Sequence, residues 1–384
     1  MSGGTEVGYR QPQTTVEPPV GPFIRQSQAG RQQSYNVSGI AFGGLTNPPL
    51  VAKPGYYRGF RTTLSTTTAS NAATVAFASD APYNAVQLVQ LKDAFGNVII
   101  SAGGYEALFL IPLFSGAFGS PLSQTTSVAD LPSYSLTSGA GATGGSFNFC
   151  SYLPFEFTKA YGVISAANNS VQPQLSWQFN SSSSVYSTAP TTVSTLTLNV
   201  DADFYWLPQS SSTAPPGLGS SRQWVVQQAN PSIGSGAVAT VQFPRLGGYL
   251  DTIIIIARDS TNARNDSVFP TSTGRLRLIL DGVPIVDSSM QEIEDDMAIQ
   301  FGVGSSGGPA RPAGVIAFTR KTSLMQVQLG LLDTGETYLS TNPATLIELQ
   351  GTPWGTFSNS PAILNVLAGQ IVPSESLITG LPEV

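Results

Sequence analysis

The chain has 384 residues, a net charge of −6 and a charged content of 10%, against ~25% in a typical soluble domain, while its 41% hydrophobic content is enough for packed cores. The acidic balance disfavours general nucleic-acid binding, the single cysteine excludes a disulfide framework and a cysteine-based zinc site, and the lack of histidine removes the usual general base and transition-metal ligand. This composition favours a secreted or assembly-forming β protein over a free cytosolic enzyme.

Residues 1–53 are rich in proline and show no hydrophobic periodicity. We predict an extended N-terminal arm that lies across a neighbouring subunit or an inner surface, anchored by scattered apolar residues such as Phe23 and Tyr35. A disordered tail is the alternative. Residues 1–30 lack the apolar stretch of a signal peptide, and no later apolar run is long enough to cross a bilayer, so we expect a soluble chain.

Residues 54–209 are predicted to form a first β-sandwich, because apolar and polar residues alternate through several short runs. The predicted strands include 57–64, 85–91, 98–100, 147–157, 174–179 and 195–202. The continuous apolar run Tyr105–Phe114 predicts a strand buried on both faces, and Lys159–Asn168 predicts a short helix. Cys150 lies within the aromatic strand and is interpreted as a small buried hydrophobic residue.

A second sandwich is predicted over residues 222–372, after a Ser-, Pro- and Gly-rich linker at 210–221. Its predicted strands are 237–243, 249–257, 275–280, 283–285, 315–318, 324–331, 345–349 and 363–366. Met290–Ile299 predicts one or two helical turns, residues 373–384 form a C-terminal tail, and 365–384 is expected to bridge neighbouring copies. The predicted fold class is all-β, with two tandem eight-stranded jelly-roll sandwiches and short helices in the connections.

Several segments carry a resemblance to a known family. The run Phe147-Asn148-Phe149-Cys150-Ser151-Tyr152-Leu153-Pro154-Phe155 is an aromatic strand that enters an apolar-Pro-apolar step. The predicted helix Ala160–Asn168 and the strand Gln174–Asn180 follow it, and Leu246–Ile255 opens the core of the second sandwich. In these segments, and in its layout over about residues 1–375, the chain resembles the double-jelly-roll major capsid proteins of tectivirus-like icosahedral bacteriophages, which contain an internal membrane.

The resemblance implies a structural virion protein and not an enzyme. Three copies would form a homotrimer of pseudo-hexagonal outline, and the trimers would tile an icosahedral shell around an internal membrane and a DNA genome. The partners would be the chain itself, vertex (penton) and minor capsid proteins, and the internal lipid membrane through the N-terminal arm, without sequence-specific nucleic-acid binding. The protein would reside in the virion shell after assembly in the host cytoplasm. Candidate tower or inter-subunit loops are 116–144, 181–192, 258–274 and 302–312.

Possible chemical motifs are few, and none indicates a catalytic residue or a cofactor. The weak candidates for a divalent-cation site are Glu292, Glu294, Asp295 and Asp296. Hard cations prefer carboxylate oxygens, but the run lacks the spacing and glycine of a calcium loop, so a solvated or trimer-interface surface is favoured. Gly139–Gly144 and Gly304–Gly308 match nucleotide-binding and nucleophile-turn spacings and are interpreted as loops, because no helix is predicted after the first and no histidine is available to the second.

Two other functions stay open. The first is a virion spike or a surface carbohydrate-binding β-sandwich, which would be a minor component that does not self-assemble in sheets. The second is a polysaccharide-active enzyme, which would need catalytic carboxylates: either Asp201 and Asp203, on one face of a strand, or the acids at 292–296. The four tryptophans, Trp177, Trp206, Trp224 and Trp354, are interpreted as core or subunit-interface anchors and not as ligand platforms.

Overall fold

The fold was described from a computed structural model. The structure describes residues 27–50, 55–66, 74–94, 96–115, 134–136, 144–154, 156, 162–165, 173–206, 220–243, 248–271, 273–304, 311–319, 339–341 and 346–373. The predicted strand at 324–331 and most of the predicted linker at 210–221 lie outside these residues.

Strands dominate the described residues. In chain order they are β1 Gln28–Ile40, β2 Leu45–Thr46, β3 Gly55–Thr66, β4 Ala76–Phe77, β5 Val86–Lys92, β6 Val98–Ala102, β7 Tyr134–Leu136, β8 Phe147–Pro154, β9 Ile164–Ser165, β10 Gln174–Phe179, β11 Tyr186–Thr188, β12 Leu196–Trp206, β13 Ser220–Ile233, β14 Ala239–Gln242, β15 Gly248–Arg258, β16 Arg275–Leu280, β17 Val283–Ser288, β18 Val315–Thr319, β19 Leu339–Thr341, β20 Ile347–Thr352 and β21 Ala362–Pro373.

Short helical elements lie in the connections between strands. They are a π-helical turn Glu106–Leu110 that continues as α1 Ile111–Phe114, α2 Ser182–Val185, α3 Met290–Phe301, and the 3-10 turns Tyr83–Ala85 and Asp266–Val268. Within the described residues, no helix has the length and apolar character that a membrane crossing requires.

The first sandwich is built on a six-stranded sheet in the order β1-β12-β3-β8-β7, with β9 paired to β3. Along β12, Leu196, Leu198 and Val200 are buried, and the residues between them are half-buried. Successive side chains of a strand point to opposite faces. The apolar residues of β12 therefore enter the core, and Asp201 and Asp203 lie on the outer face.

A nine-stranded sheet runs through both sandwiches in the order β18-β15-β21-β13-β6-β5-β10-β2, with β19 paired to β15. Strands β2, β5, β6 and β10 belong to the first half of the chain, and the others belong to the second. The two halves meet at β6 and β13, which run parallel, whereas the other described pairs in this sheet are antiparallel. The sheet is thus continuous from one sandwich to the other.

The second sandwich also contains a four-stranded sheet in the order β14-β20-β16-β17. Leu276, Leu278 and Leu349 of this sheet are buried. Residues 253–256 of β15, four consecutive isoleucines, are at most 4% exposed, so this strand is covered on both faces. The buried apolar residues of the two sandwiches join into one connected core.

The predicted all-β architecture is confirmed, but the predicted strand Tyr105–Phe114 is wrong, because this run is helical. It forms the π-helical turn and α1, with Pro112 in the first turn of α1, where a missing N–H costs little. A helix that is packed on nearly all sides has no polar face. Its apolar run therefore lacks the 3.6-residue period that would distinguish it from a doubly buried strand.

Part of the predicted arm is a strand of the first sheet. β1 runs antiparallel to β12, with irregularities between Gln33 and Tyr35 and between Val37 and Ile40. It is an edge strand whose side chains are mostly exposed. Bulges and exposure remove the simple alternation of a strand, which explains why the sequence shows no period there. Residues 1–26 and 51–54 lie outside the described part of the chain.

The last residues of the predicted linker and the first residues of the predicted bridging segment are paired strands. β13 begins at Ser220, which lies opposite Pro373 of β21, and the ladder between these two strands continues to Ile233 and Ala362. A Ser-rich composition does not prevent pairing, because strand formation depends on the neighbouring strand more than on local propensity. The domain boundaries themselves stay predictions.

Two helix predictions need correction. α3 has 12 residues, about three turns and not one or two. It begins with a reciprocal cap between Ser289 and Glu292 and ends at Gly302, whose φ of +69° suits glycine. Within the predicted helix Lys159–Asn168, the described residues Ile164–Ser165 pair with β3 as a strand, and most of the remainder lies outside the described residues.

Candidate functional site: the junction between the sandwiches

The two sandwiches are joined where β6 and β13 pair in parallel. Ile100 lies opposite Trp224, and Ser101 lies opposite Val225. Ile100 and Trp224 are both fully buried. Backbone pairing at this joint adds to the covalent connection, so the halves cannot rotate as freely as a Ser-Pro-Gly hinge alone would allow.

A buried cluster of charges also bridges the two sandwiches. Asp80 precedes the 3-10 turn of the first sandwich, whereas Arg258 ends β15 of the second and Arg264 lies in the loop that follows. Arg258 Nη2 lies 2.7 Å from Asp80 Oδ2, and Arg264 Nε donates to Asp80 Oδ1 at 2.7 Å. The side chains of Asp80 and Arg258 are only 9% and 7% exposed. One carboxylate of the first sandwich thus holds two guanidinium groups of the second.

Each arginine has a further partner. Arg258 Nη1 donates to the Asn262 carbonyl at 3.0 Å, and Arg264 Nη1 donates to the Ala313 carbonyl at 2.8 Å. The Arg264 guanidinium also lies over the Tyr105 ring, 4.5 Å from its centroid. Buried ions are tolerated only where ion pairs and hydrogen bonds offset their lost hydration. These contacts meet that requirement, and removal of one partner would leave a buried charge uncompensated.

Glu106 is the fourth charged member of the cluster. Its Oε1 lies 3.8 Å from Arg258 Nη2, well beyond the 2.7 Å that separates this nitrogen from Asp80. Burial raises the pKa of the Glu106 carboxyl above its ordinary value, and the attraction of Arg258 and Arg264 does not cancel this effect. Burial also raises the pKa of the neighbouring Tyr105 phenol. Asp80 therefore receives the direct contacts, and Glu106 is less completely compensated.

Aromatic packing links the helical elements across the junction. Phe114, at the end of α1, meets Phe301, at the end of α3, edge to face with centroids 5.0 Å apart and planes at 86°. Such pairs contribute ~0.5–1.5 kcal/mol beyond their buried area. Ser151 of β8 donates a hydrogen bond to the Leu108 carbonyl, which fastens the π-helical turn to the first sheet.

The four acidic residues predicted as weak cation ligands lie on α3, and two of them have other contacts. Glu292 caps the helix, and Glu294 Oε1 forms an ion pair with Arg311 Nη2 at 3.1 Å. Asp295 and Asp296 are exposed. Partial loss of hydration, together with the nearby charges of Asp295 and Glu292, raises the pKa of Asp296. Within the described residues, no three acidic, cysteine or histidine side chains converge as metal ligands would.

Asp201 and Asp203 lie on one face of β12, as the alternation predicts. Arg31 of β1 donates to Asp203 through Nε at 2.6 Å and through Nη2 at 3.1 Å, one bond to each carboxylate oxygen. Asn199 Nδ2 lies 3.5 Å from Asp201 Oδ1. Both Asp203 oxygens thus accept from one guanidinium group. The ion pair between Arg31 and Asp203 links β1 to β12.

Three of the four tryptophans are core anchors, in agreement with the prediction. Trp177, Trp224 and Trp354 are at most 1% exposed, whereas Trp206 is half-buried. Trp177 Nε1 donates to the Tyr35 hydroxyl at 2.6 Å, which ties β1 to the core of the first sandwich. The prediction for Cys150 is wrong: it is half-buried, because it alternates with the buried residues of β8 and faces the other way.

The predicted loops are described only in part. Residues 181–192 contain α2 and β11, and 258–274 carries two arginines of the junction. Most of 116–144 and 302–312, with the glycine motifs Gly139–Gly144 and Gly304–Gly308, lies outside the described residues. A role in towers or subunit contacts stays a prediction.

Sequence reasoning missed the charge cluster, although two of its members carry a signal. Glu106 stands inside a long apolar run, and Arg258 directly follows the buried segment Ile253–Ala257. A charge next to so many apolar residues requires a buried partner. Asp80 stands just before the predicted turn at Pro82 and Arg264 stands in a polar stretch, where a charged residue needs no buried partner.

The chain was compared with known families, sequences and solved structures, and only solved structures match it. No family model and no curated protein sequence matches the chain. Among solved structures, the major capsid protein of Sulfolobus turreted icosahedral virus (STIV) matches with a TM-score of 0.59 and 15% identity, over 92% of this chain and 100% of that one. VP54 of PBCV-1 matches with a TM-score of 0.60 and 13% identity, over 90% and 93%. The Faustovirus major capsid protein matches with a TM-score of 0.56 and 11% identity, over 90% of each chain.

The chain has the double-jelly-roll fold of these capsid proteins. The matches cover nine tenths or more of each chain. The similarity therefore extends over both rolls and the joint between them and is not limited to one sandwich. The predicted resemblance to double-jelly-roll major capsid proteins is confirmed. At 11–15% identity, the likeness describes the fold.

Proposed function

We propose that the chain is a major capsid protein whose activity is assembly of an icosahedral shell. The observation that carries the proposal is the alignment of both jelly rolls with viral capsid proteins over almost their entire length. The junction supports it physically. Neighbouring tiles of a shell contact both rolls at once, so the rolls must keep a constant relative orientation, and the continuous sheet and the buried Asp80 cluster provide this.

The assembly unit in this proposal is a homotrimer of pseudo-hexagonal outline, because three copies place six similar rolls around one axis. A surface with few charges favours the close approach of many copies, since little electrostatic repulsion opposes it. Trimers would then contact one another, with vertex (penton) and minor capsid proteins completing the shell. The chain would have a structural and not an enzymatic role.

Light scattering combined with negative-stain electron microscopy of the purified chain tests the proposal. We expect a particle of three times the chain mass with a three-lobed or hexagonal outline. A monomer that persists at all accessible concentrations would contradict it and would favour the spike or carbohydrate-binding alternative.

The finer parts of the proposal concern the location of the protein. The shell would enclose a membrane and a DNA genome in a bacteriophage virion, after assembly in the host cytoplasm, and residues 1–26 would contact the membrane. Flotation of the full chain with lipid vesicles, compared with a variant lacking residues 1–26, tests the membrane contact. We expect the full chain to float and the shortened trimer to stay at the bottom of the gradient. Equal behaviour of the two would contradict a membrane role for this segment.

A further inference from the structure

Glu106 occupies an unusual electrostatic position at the junction. It is a buried residue, 8% exposed, that begins the π-helical turn, an element frequently found at functional sites. Both guanidinium groups of the cluster make their 2.7 Å contacts to Asp80, whereas the Glu106 carboxylate lies 3.8 Å from Arg258. The attraction available to Glu106 is therefore weaker than that available to Asp80.

Among the residues that the structure describes, the surroundings of Glu106 add no further charge. Its own backbone N–H donates to the Glu106 carboxylate, and the charges that act on it are those of Arg258, Asp80 and Arg264. The titratable tyrosines at the π-helical turn are Tyr105 and Tyr83, whose ring lies 6.4 Å from that of Tyr105 and 5.3 Å from that of Phe109. The strands β6 and β8 and the helix α1, which contact the π-helical turn, have no Asp, Glu, Lys or Arg in their sequences. The other titratable residues of β8 are Cys150 and Tyr152, which are half-buried on its outer face.

An ionised Glu106 costs hydration free energy that the distant Arg258 does not fully return. A proton on Glu106 removes this cost, and both arginines keep their contacts to Asp80. We propose that Glu106 makes the stability of the junction depend on pH. Its protonated form stabilises the contact between the two rolls, and loss of the proton as the pH rises weakens that contact.

The direction follows from linkage between protonation and folding. Burial raises the pKa of Glu106 in the folded chain above the value of about 4.3 for an unfolded glutamate. The folded chain thus keeps this proton at pH values where the unfolded chain has lost it. The contribution of Glu106 is fully present below about pH 4.3 and is lost as the pH rises through its folded pKa.

Denaturant unfolding of the full chain and of Glu106→Gln, at fixed protein concentration and over a series of pH values from acidic to mildly alkaline, tests the proposal. Glutamine resembles a protonated carboxyl group. We expect the variant to be more stable than the natural chain at alkaline pH, and the difference to shrink towards zero as the pH falls. A variant that is less stable at alkaline pH, or whose offset is the same at every pH, would overturn the proposal.

Three further measurements separate the effect from a packing change and locate it at the junction. Glu106→Met introduces an apolar side chain of similar length. We expect it also to remove the part of the pH dependence of stability that Glu106 contributes. Glu156→Gln is the matched control, because Glu156 accepts directly from Arg58 at 2.6 Å and from Tyr205 at 2.8 Å, and its loss is expected to destabilise. Hydrogen exchange of the β6 and β13 amides, corrected for intrinsic rates, locates the effect. In the natural chain these amides should be less protected at alkaline than at acidic pH, and in Glu106→Gln their protection should not change in this way. The same loss in both proteins would overturn the proposal.

Discussion

The indole ring of Trp224 in β13 lies close to Gly369, the partner of Trp224 in the ladder with β21. A Cβ atom added to Gly369 would come within 2.9–3.1 Å of three carbons of the indole ring. On its other side, Trp224 pairs with Ile100 of β6, at the parallel joint between the rolls. The space left by one glycine thus allows the largest side chain of the joint to pack there.

Gly369→Ala tests this relationship. We expect the free energy of unfolding to fall by about 1–3 kcal/mol, because the ring or the strand must shift to admit the methyl group. Urea unfolding measures the change. The matched control is Gly234→Ala, whose Cβ would meet only Ala237 Cβ at 3.6 Å, an ordinary contact, and which should alter stability by less than about 0.5 kcal/mol. Equal effects of the two substitutions would contradict the role of the Trp224 ring.

Asp80→Asn should be among the most destabilising single substitutions of a charged residue in the described part of the chain. It removes the carboxylate that compensates two buried arginines, and we expect a loss of about 3–5 kcal/mol in the free energy of unfolding. Asp287→Asn is the control, because Asp287 pairs with Arg275 and Arg277 at the surface, where solvent screens the charges. We expect little change from it. Similar unfolding curves for the two variants would refute the junction cluster as a stabilising element.

Ser289→Ala removes the cap of α3. The Ser289 hydroxyl accepts from the Glu292 N–H at 3.3 Å, and the Glu292 carboxylate accepts from the Ser289 N–H at 2.7 Å. We expect a loss of about 1 kcal/mol, since the helix N-terminus keeps its packing but loses a side-chain hydrogen bond. Thermal unfolding followed by circular dichroism measures it, with the exposed Ser260→Ala as the control. An unchanged unfolding midpoint for Ser289→Ala would show that the cap contributes nothing.

Alkaline titration should reveal the buried tyrosines. Burial raises the pKa of five phenols to about 12: Tyr56, Tyr57, Tyr152, Tyr186 and Tyr205. The folded chain prefers the neutral phenol, so this contribution to stability is present below the unfolded value of about 10 and is lost as the pH rises towards 12. In the folded chain we expect the absorbance of these five tyrosinates to appear only with global unfolding, whereas in the urea-denatured chain it should appear near pH 10. Ionisation of these residues near pH 10 without unfolding would contradict their burial.

Much of the secondary structure could be predicted because it depends on local alternation. Each of the strands β8, β10 and β12 buries the apolar side chains of one face. The two-residue alternation in the sequence is enough to identify these side chains. The helical run Tyr105–Phe114 and the edge strand β1 could not be predicted in this way. The first is apolar on nearly all sides and the second is exposed on most, so neither has a period to detect.

The candidate site was less accessible to prediction than the fold. The acids on α3 and the pair Asp201 and Asp203 attract attention because they are close in sequence. The structure engages Glu292 in a cap, and it engages Glu294 and Asp203 in ion pairs. The charges that join the rolls come from distant parts of the chain and include Asp80 and Arg264, whose neighbours in sequence are unremarkable.

The sequence by itself determined the all-β class, the faces of its regular strands and the scarcity of charges and of catalytic side chains, since these follow from composition and from a two-residue period. Only the tertiary structure decided that β6 and β13 pair in parallel, that Asp80 meets two arginines of the other roll and that Glu106 is left at a distance from them. Such contacts depend on chain topology and on which groups lose water together, and no local pattern records either.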